Sequence, residues 1–104
     1  MEDKHQLFIA TLKQDQHILK NMSEKEIENY FFEFLKKYHG KFAFRKSLCR
    51  TTNLKPYTID NAISEKILTC NKYNEDESYQ VFCTKEFAKV VSSCYITKLK
   101  RGGL

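Results

Sequence analysis

Residues 45–67, RKSLCRTTNLKPYTIDNAISEKI, constrain this chain more than any other stretch, because they hold its one proline. Proline has no N–H to give a helix interior. In a first turn that N–H would be unpaired anyway, and the ring already holds φ near the helical value. Pro56 is therefore expected to open a helix running to about Ile67. A shorter helix, Arg45 to Thr52, precedes it, and Asn53-Leu54-Lys55 forms the corner. Asn53 suits that corner, since few residues other than glycine tolerate a left-handed backbone. Leu48, Leu54, Ile59, Ala62 and Ile63 supply apolar positions to lock the two helices, and the small Cys49 lets them approach.

The spacing of Leu48, Cys49, Asn53, Leu54, Ile59 and Ala62 resembles the helix-turn-helix of the winged-helix DNA-binding family. In that family the second helix enters the major groove. Two positions depart from the pattern: Asn53 replaces a more usual glycine, and Thr52 replaces an aliphatic residue. With Ile59, Ala62, Ile63 and Ile67 turned to the core, the opposite face of the second helix presents Tyr57, Thr58, Asp60, Asn61 and Ser64. Lys55 stands at its entry and Lys66 near its end. Asn61 has the donor and acceptor to bond an adenine edge twice, Thr58 and Ser64 suit base or phosphate, and Tyr57 suits phosphate or a thymine methyl. Arg45, Lys46 and Arg50 on the first helix, with Lys41, would hold the phosphate backbone. Asp60 is discordant unless it meets a cytosine amino group or a neighbouring lysine.

The net charge of +5 is unevenly distributed. Residues 41–72 carry seven basic and two acidic groups, residues 85–104 five and one, and residues 73–84 three acids with no base. The basic excess thus falls on the helix pair and the C-terminal segment, as phosphate binding requires. A solvated lysine-rich surface would show the same totals. A chain of 104 residues makes one domain, and abundant aromatics with scarce glycine imply a packed, mainly helical one. No apolar run approaches a membrane span and no signal-peptide pattern opens the chain, so a cytoplasmic protein is expected, associated with a nucleoid, a plasmid or a viral host cytoplasm.

Elsewhere the period is mostly helical. Phe8, Ile9, Leu12 and Leu19 mark an amphipathic helix over residues 3–20, and His5 and His17 read as surface residues. Ser23 and Glu26 form a capping box for a helix that Gly40 ends. Its aromatic stripe of Ile27, Phe31, Phe34 and Tyr38 makes a floor for the helix pair, with Phe42 and Phe44 pinning the connection. Residues 68–73 and 79–84 are β-prone and flank an acidic turn, 74–78. This hairpin stands where the resemblance puts a wing, with Lys72 its candidate phosphate contact. From Thr84 the helical period returns. Phe87, Val91, Cys94, Tyr95 and Leu99 form a stripe that either caps the core or pairs with a second copy; pairing, together with the N-terminal helix, is preferred because one reading helix covers too few base pairs for useful specificity.

The four cysteines form no C-x-x-C pair, so reduced thiols are expected and no metal site. Cys70 and Cys83 could face each other across the hairpin. No glycine-rich phosphate loop, metal-spaced histidine–carboxylate cluster or nucleophile setting is present, so neither an enzyme nor a cofactor is expected. The reading is a mainly α winged helix-turn-helix, ordered α-α-α-α-β-β-α over residues 1–104, binding double-stranded DNA as a homodimer and acting as a small transcriptional regulator. KPYT and the basic terminal helix are also similar to the small centromere-binding adaptors of tubulin-type plasmid partition, which recruit a filament protein. A winged-helix protein–protein interaction module, with the acidic turn meeting a basic partner, is the alternative from another class.

Overall fold

The computed structural model describes residues 3–72 and 80–101, with the Lys72 side chain, the acidic turn and residues 102–104 outside the described residues. The elements are α1 (Lys4–Leu19), α2 (Glu24–His39), β1 (Phe42–Phe44), α3 (Arg45–Thr52), α4 (Pro56–Ser64), β2 (Asn71–Lys72), β3 (Gln80–Cys83) and α5 (Thr84–Arg101). The protein is mainly α with one small antiparallel sheet of strand order β1-β3-β2. The strand β1 is absent from the sequence expectation. Three residues are too few to show a period of two, and β1 exists because β3 pairs with it, Phe42 opposite Cys83 and Phe44 opposite Val81.

Local chemistry sets most boundaries. The Asp3 side chain accepts the His5 N–H at the start of α1, and the Ser23–Glu26 capping box closes in both directions at α2. Gly40 ends α2 at φ 80°, outside the comfortable range of any side-chain-bearing residue. Asn53 takes the left-handed conformation at the corner, φ 57° and ψ 31°, and donates its N–H to the Cys49 carbonyl at 2.7 Å. Pro56 begins α4 as expected. The helix ends three residues early, at Ser64, because Lys66 turns left-handed at φ 62° and both Ile67 and Leu68 donate back to the Ala62 carbonyl. That turn swaps the expected roles: Ile67 is 45% exposed and Leu68 is buried.

The core is built from α1, α2 and α5. The α2 stripe packs chiefly along α5, and α3 rests on α1, so α2 is not the main floor of the helix pair. Phe8 of α1 meets Phe31 at 5.8 Å, Phe34 edge-on at 5.3 Å and Tyr95 of α5 edge-on at 5.5 Å. Offset and edge-on geometries favour the ring quadrupoles, which adds to the apolar burial. Phe87, Val91 and Leu99 are fully buried inside this one chain. The stripe assigned to a second copy is therefore core, with only Cys94 exposed and Tyr95 half-buried. A stripe shows that a helix has an apolar face, not what that face meets.

Polar ties fix α3 to the other helices. His5 of α1 approaches the Thr51 carbonyl through Nδ1 at 2.9 Å, and His39 of α2 meets the Thr51 hydroxyl through Nε2 at 2.8 Å. The Tyr95 hydroxyl donates to the Thr52 carbonyl at 2.9 Å, while the Thr52 hydroxyl turns back to the Leu48 carbonyl. His5 is thus a tether and not a surface residue. Among the described residues no buried side-chain nitrogen or oxygen lacks a hydrogen-bond partner.

Two outcomes are expected. Truncating the fully buried Phe31 to Ala should lower the unfolding free energy by about 3–5 kcal/mol in urea titration. Burial, with Lys4 nearby, holds the His39 imidazole below its usual pKa of 6.5. Its folded form then binds fewer protons than the unfolded chain, so its contribution is full above 6.5 and is lost as pH falls from there through the lower folded value. Unfolding midpoints measured from pH 7.5 down to 5 should decline, and His39→Gln should flatten part of that decline.

Candidate nucleic-acid interface

The expected reading face of α4 is open to solvent. Ile59 and Ala62 are buried and Ile63 is partly so, which turns Tyr57, Asp60, Asn61 and Ser64 outward. Tyr57 is 68% exposed, unusual for a ring with no intramolecular task. Thr58 is half-buried at the flank and, with Asn61, lines a shallow groove of about 210 Å³ against Val90 and Cys94 of α5. Glu65 lines the same groove, so anions are disfavoured on that flank.

Arg45 has a different task from the one expected. Its Nη1 donates to Asp60 Oδ1 at 2.9 Å and to Gln80 Oε1 at 2.9 Å, and its Nη2 to the Pro56 carbonyl at 3.3 Å. With its side chain only 15% exposed, it joins the β1–α3 junction to the first turn of α4 and to β3. A guanidinium suits this job because its planar fork serves several acceptors at once. It also resolves the discordance of Asp60, which answers an arginine of its own chain. Neither partner could be found from sequence, since they stand 15 and 35 residues away.

The remaining basic candidates stay exposed. Lys46 and Arg50 lie one turn apart on the outer side of α3, Lys55 immediately precedes α4 without a side-chain capping bond, and Lys66 stands in the turn beyond its end. The Lys72 side chain and the acidic turn are outside the described residues. Among the described residues the one ion pair is Arg45–Asp60, so these lysines and Arg50 are not neutralised by carboxylates there. Such cations can displace the counterions of a polyanion, the main source of sequence-independent nucleic-acid affinity.

Burial raises the Cys49 pKa despite the opposing effect of Arg45, which keeps the thiol protonated and unreactive. Cys70 and Cys83 are not bonded to each other, and the register that sets Asn71 opposite Val81 offsets them by one position. Among the described residues no cluster of three metal-ligating side chains forms, and no helix is long and apolar enough to cross a membrane.

Arg45→Ala should cost about 1–3 kcal/mol in urea unfolding, because the buried Gln80 loses its donor. Asp60→Asn, at a carboxylate 63% exposed, should cost less than about 1 kcal/mol in the same assay. Comparison with known proteins leaves the geometry to speak for itself: no protein-family model, curated protein or solved structure matches this chain.

Proposed function

We propose that this protein binds double-stranded DNA by inserting α4 into the major groove, in the manner of a winged helix-turn-helix. The observation that carries the reading is the outward face of α4. Tyr57, Asn61 and Ser64 are exposed on a short helix that is itself rigidly held, with unneutralised cations on the preceding helix and at its first turn. A side chain exposed for no intramolecular reason on a fixed helix is what direct base readout needs. The hairpin β2–β3 follows α4, the place the sequence resemblance gives to a wing.

Asn61 is assigned to a base edge and Tyr57 to a thymine methyl or phosphate, with Ser64 and Thr58 beside them. Lys46, Arg50 and Lys55 hold the backbone, and Lys66 reaches it from the far end. Arg45 is the positioning residue that sets the angle of α4. Two copies on adjacent half-sites would supply the length of sequence that one helix cannot read. Their contact must use a surface other than the buried face of α5. Action as a small transcriptional regulator follows from occupancy of a promoter alone, which requires no effector pocket; attachment of a replicon to a segregation filament would use the same duplex contact.

Fluorescence anisotropy with duplex selected from a random pool tests the assignment. Binding should weaken steeply with salt, the logarithmic slope changing by about 0.9 for each phosphate neutralised. Arg50→Ala should weaken all duplexes alike and reduce that slope by about one, whereas Asn61→Ala should relax preference at one base pair by about 1–3 kcal/mol. Duplex binding untouched by both changes would overturn the assigned face.

A further inference from the structure

The first halves of α2 and α5 border a shallow recess of about 170 Å³. Lys25, Glu28 and Asn29 of α2 face Lys85 and Lys89 of α5 across it, and the half-buried Phe32 gives it an apolar wall. Lys36 brings a fourth ammonium close by, 5.6 Å from the centre of the Phe32 ring. Lys85 and Lys89 are one turn apart and so share a face of α5, where like charges repel. A solvated lysine face relieves such repulsion by pairing with carboxylates, and here it does not. Glu28 is the one carboxylate on the recess, yet it pairs with none of these lysines, since the one ion pair among the described residues is Arg45–Asp60. Glu86, beside Lys85 in sequence, is engaged elsewhere, accepting from the Thr69 N–H at 2.9 Å and hydroxyl at 3.3 Å.

We propose that this recess is a phosphate-binding site, in which Lys25, Lys85 and Lys89 surround the anion and the Asn29 carboxamide donates to one of its oxygens. Three ammonium groups against one carboxylate leave a net charge of +2 on the recess. A phosphate carries about −1.5 to −2 at neutral pH, so the two are matched. Ammonium groups on separate stems can approach a tetrahedral group from several directions, whereas a planar carboxylate is better met by a guanidinium fork. A concave surface of one sign beside an apolar wall also concentrates its field. The walls are held in place, because α2 and α5 pack along each other in the core.

That chemistry belongs both to free phosphate and to a nucleic-acid backbone, and position favours the backbone. Ser93, one turn beyond Lys89 on α5, lines the groove against Asn61. Glu65 disfavours anions in that groove, and the lysines favour them one turn of α5 away. A duplex seated on α4 would therefore meet its next phosphate contact on α5. The backbone source rests on the reading of α4 given above, whereas the recess itself stands on α2 and α5 and does not.

Two titrations of the full chain test the site. In anisotropy with a labelled duplex of about 20 base pairs, Lys85→Gln combined with Lys89→Gln should reduce the logarithmic salt slope by about two, and Glu28→Gln should tighten binding. In thermal melts, inorganic phosphate exchanged for chloride at constant ionic strength should raise the melting temperature of the unaltered chain more than that of the double variant. A reduced slope identifies the backbone as the source, and a lost phosphate shift with the slope unchanged identifies free phosphate; either result sustains the site. Lys13→Gln with Lys20→Gln removes the same charge beside α1 and should alter neither titration. Asn61→Ala should relax base preference while leaving the salt slope and the phosphate shift intact, so failure of the recess and failure of the reading helix are told apart. All four lysines are exposed, so the variants should fold, and circular dichroism checks this. The proposal is overturned if the Lys85 and Lys89 changes affect neither titration, or if the Lys13 and Lys20 changes affect both as strongly.

Discussion

The C-terminal end of α3 is gripped from three directions, and the orientation of α4 depends on that grip. His5 comes from α1, His39 from α2 and Tyr95 from α5, all converging on Thr51 and Thr52. Threonine pairs are poor material for a core unless every hydroxyl and carbonyl finds a partner, and here each does. An aliphatic residue at Thr52 would bury more apolar surface but would leave unchanged the Tyr95 bond to the backbone carbonyl. What the Thr51 hydroxyl adds, through His39, is directional: hydrogen bonds fix an angle, where apolar contact tolerates sliding. Arg45 does the same at the other end of α3, so both ends of that helix are referenced to the rest of the molecule.

This arrangement separates a surface that must be presented from the interactions that present it. Tyr57, Asn61 and Ser64 touch the fold little, so packing places few demands on their identities. Arg45, Asp60 and Gln80 do the holding. The assignment of Arg45 to phosphate fails for this reason. A cation that is partly buried and already serves three acceptors has little left for a ligand, however well its position in the sequence suits one.

How much was legible follows the range of the interaction. The α2 cap, the end of α2 at Gly40, the left-handed Asn53 and the start of α4 at Pro56 are decided within a few residues, and the sequence states them directly. The exposure of α4's polar face was readable too, because Ile59 and Ala62 leave it no other direction. What depended on distant partners was not readable. β1 needs β3 to exist, the inward turn of Phe87, Val91 and Leu99 needs α2, and the tether of His5 needs Thr51. The exchange of Ile67 for Leu68 turns on one left-handed lysine, a conformation that no residue preference would have suggested for Lys66.

The pairing of α2 with α5 carries a cost in time. These two helices share the largest contact among the described residues, yet five other elements lie between them in the chain. During synthesis the aromatic ridge of α2 is complete long before the helix that covers it has been made. Ile27, Phe31 and Leu35 must meanwhile stay wet or be sheltered provisionally by α1, and contacts between remote segments are slow to close. The nascent chain is therefore stickiest in the interval before α5 emerges, and holding factors that recognise exposed aromatic helices would find it then.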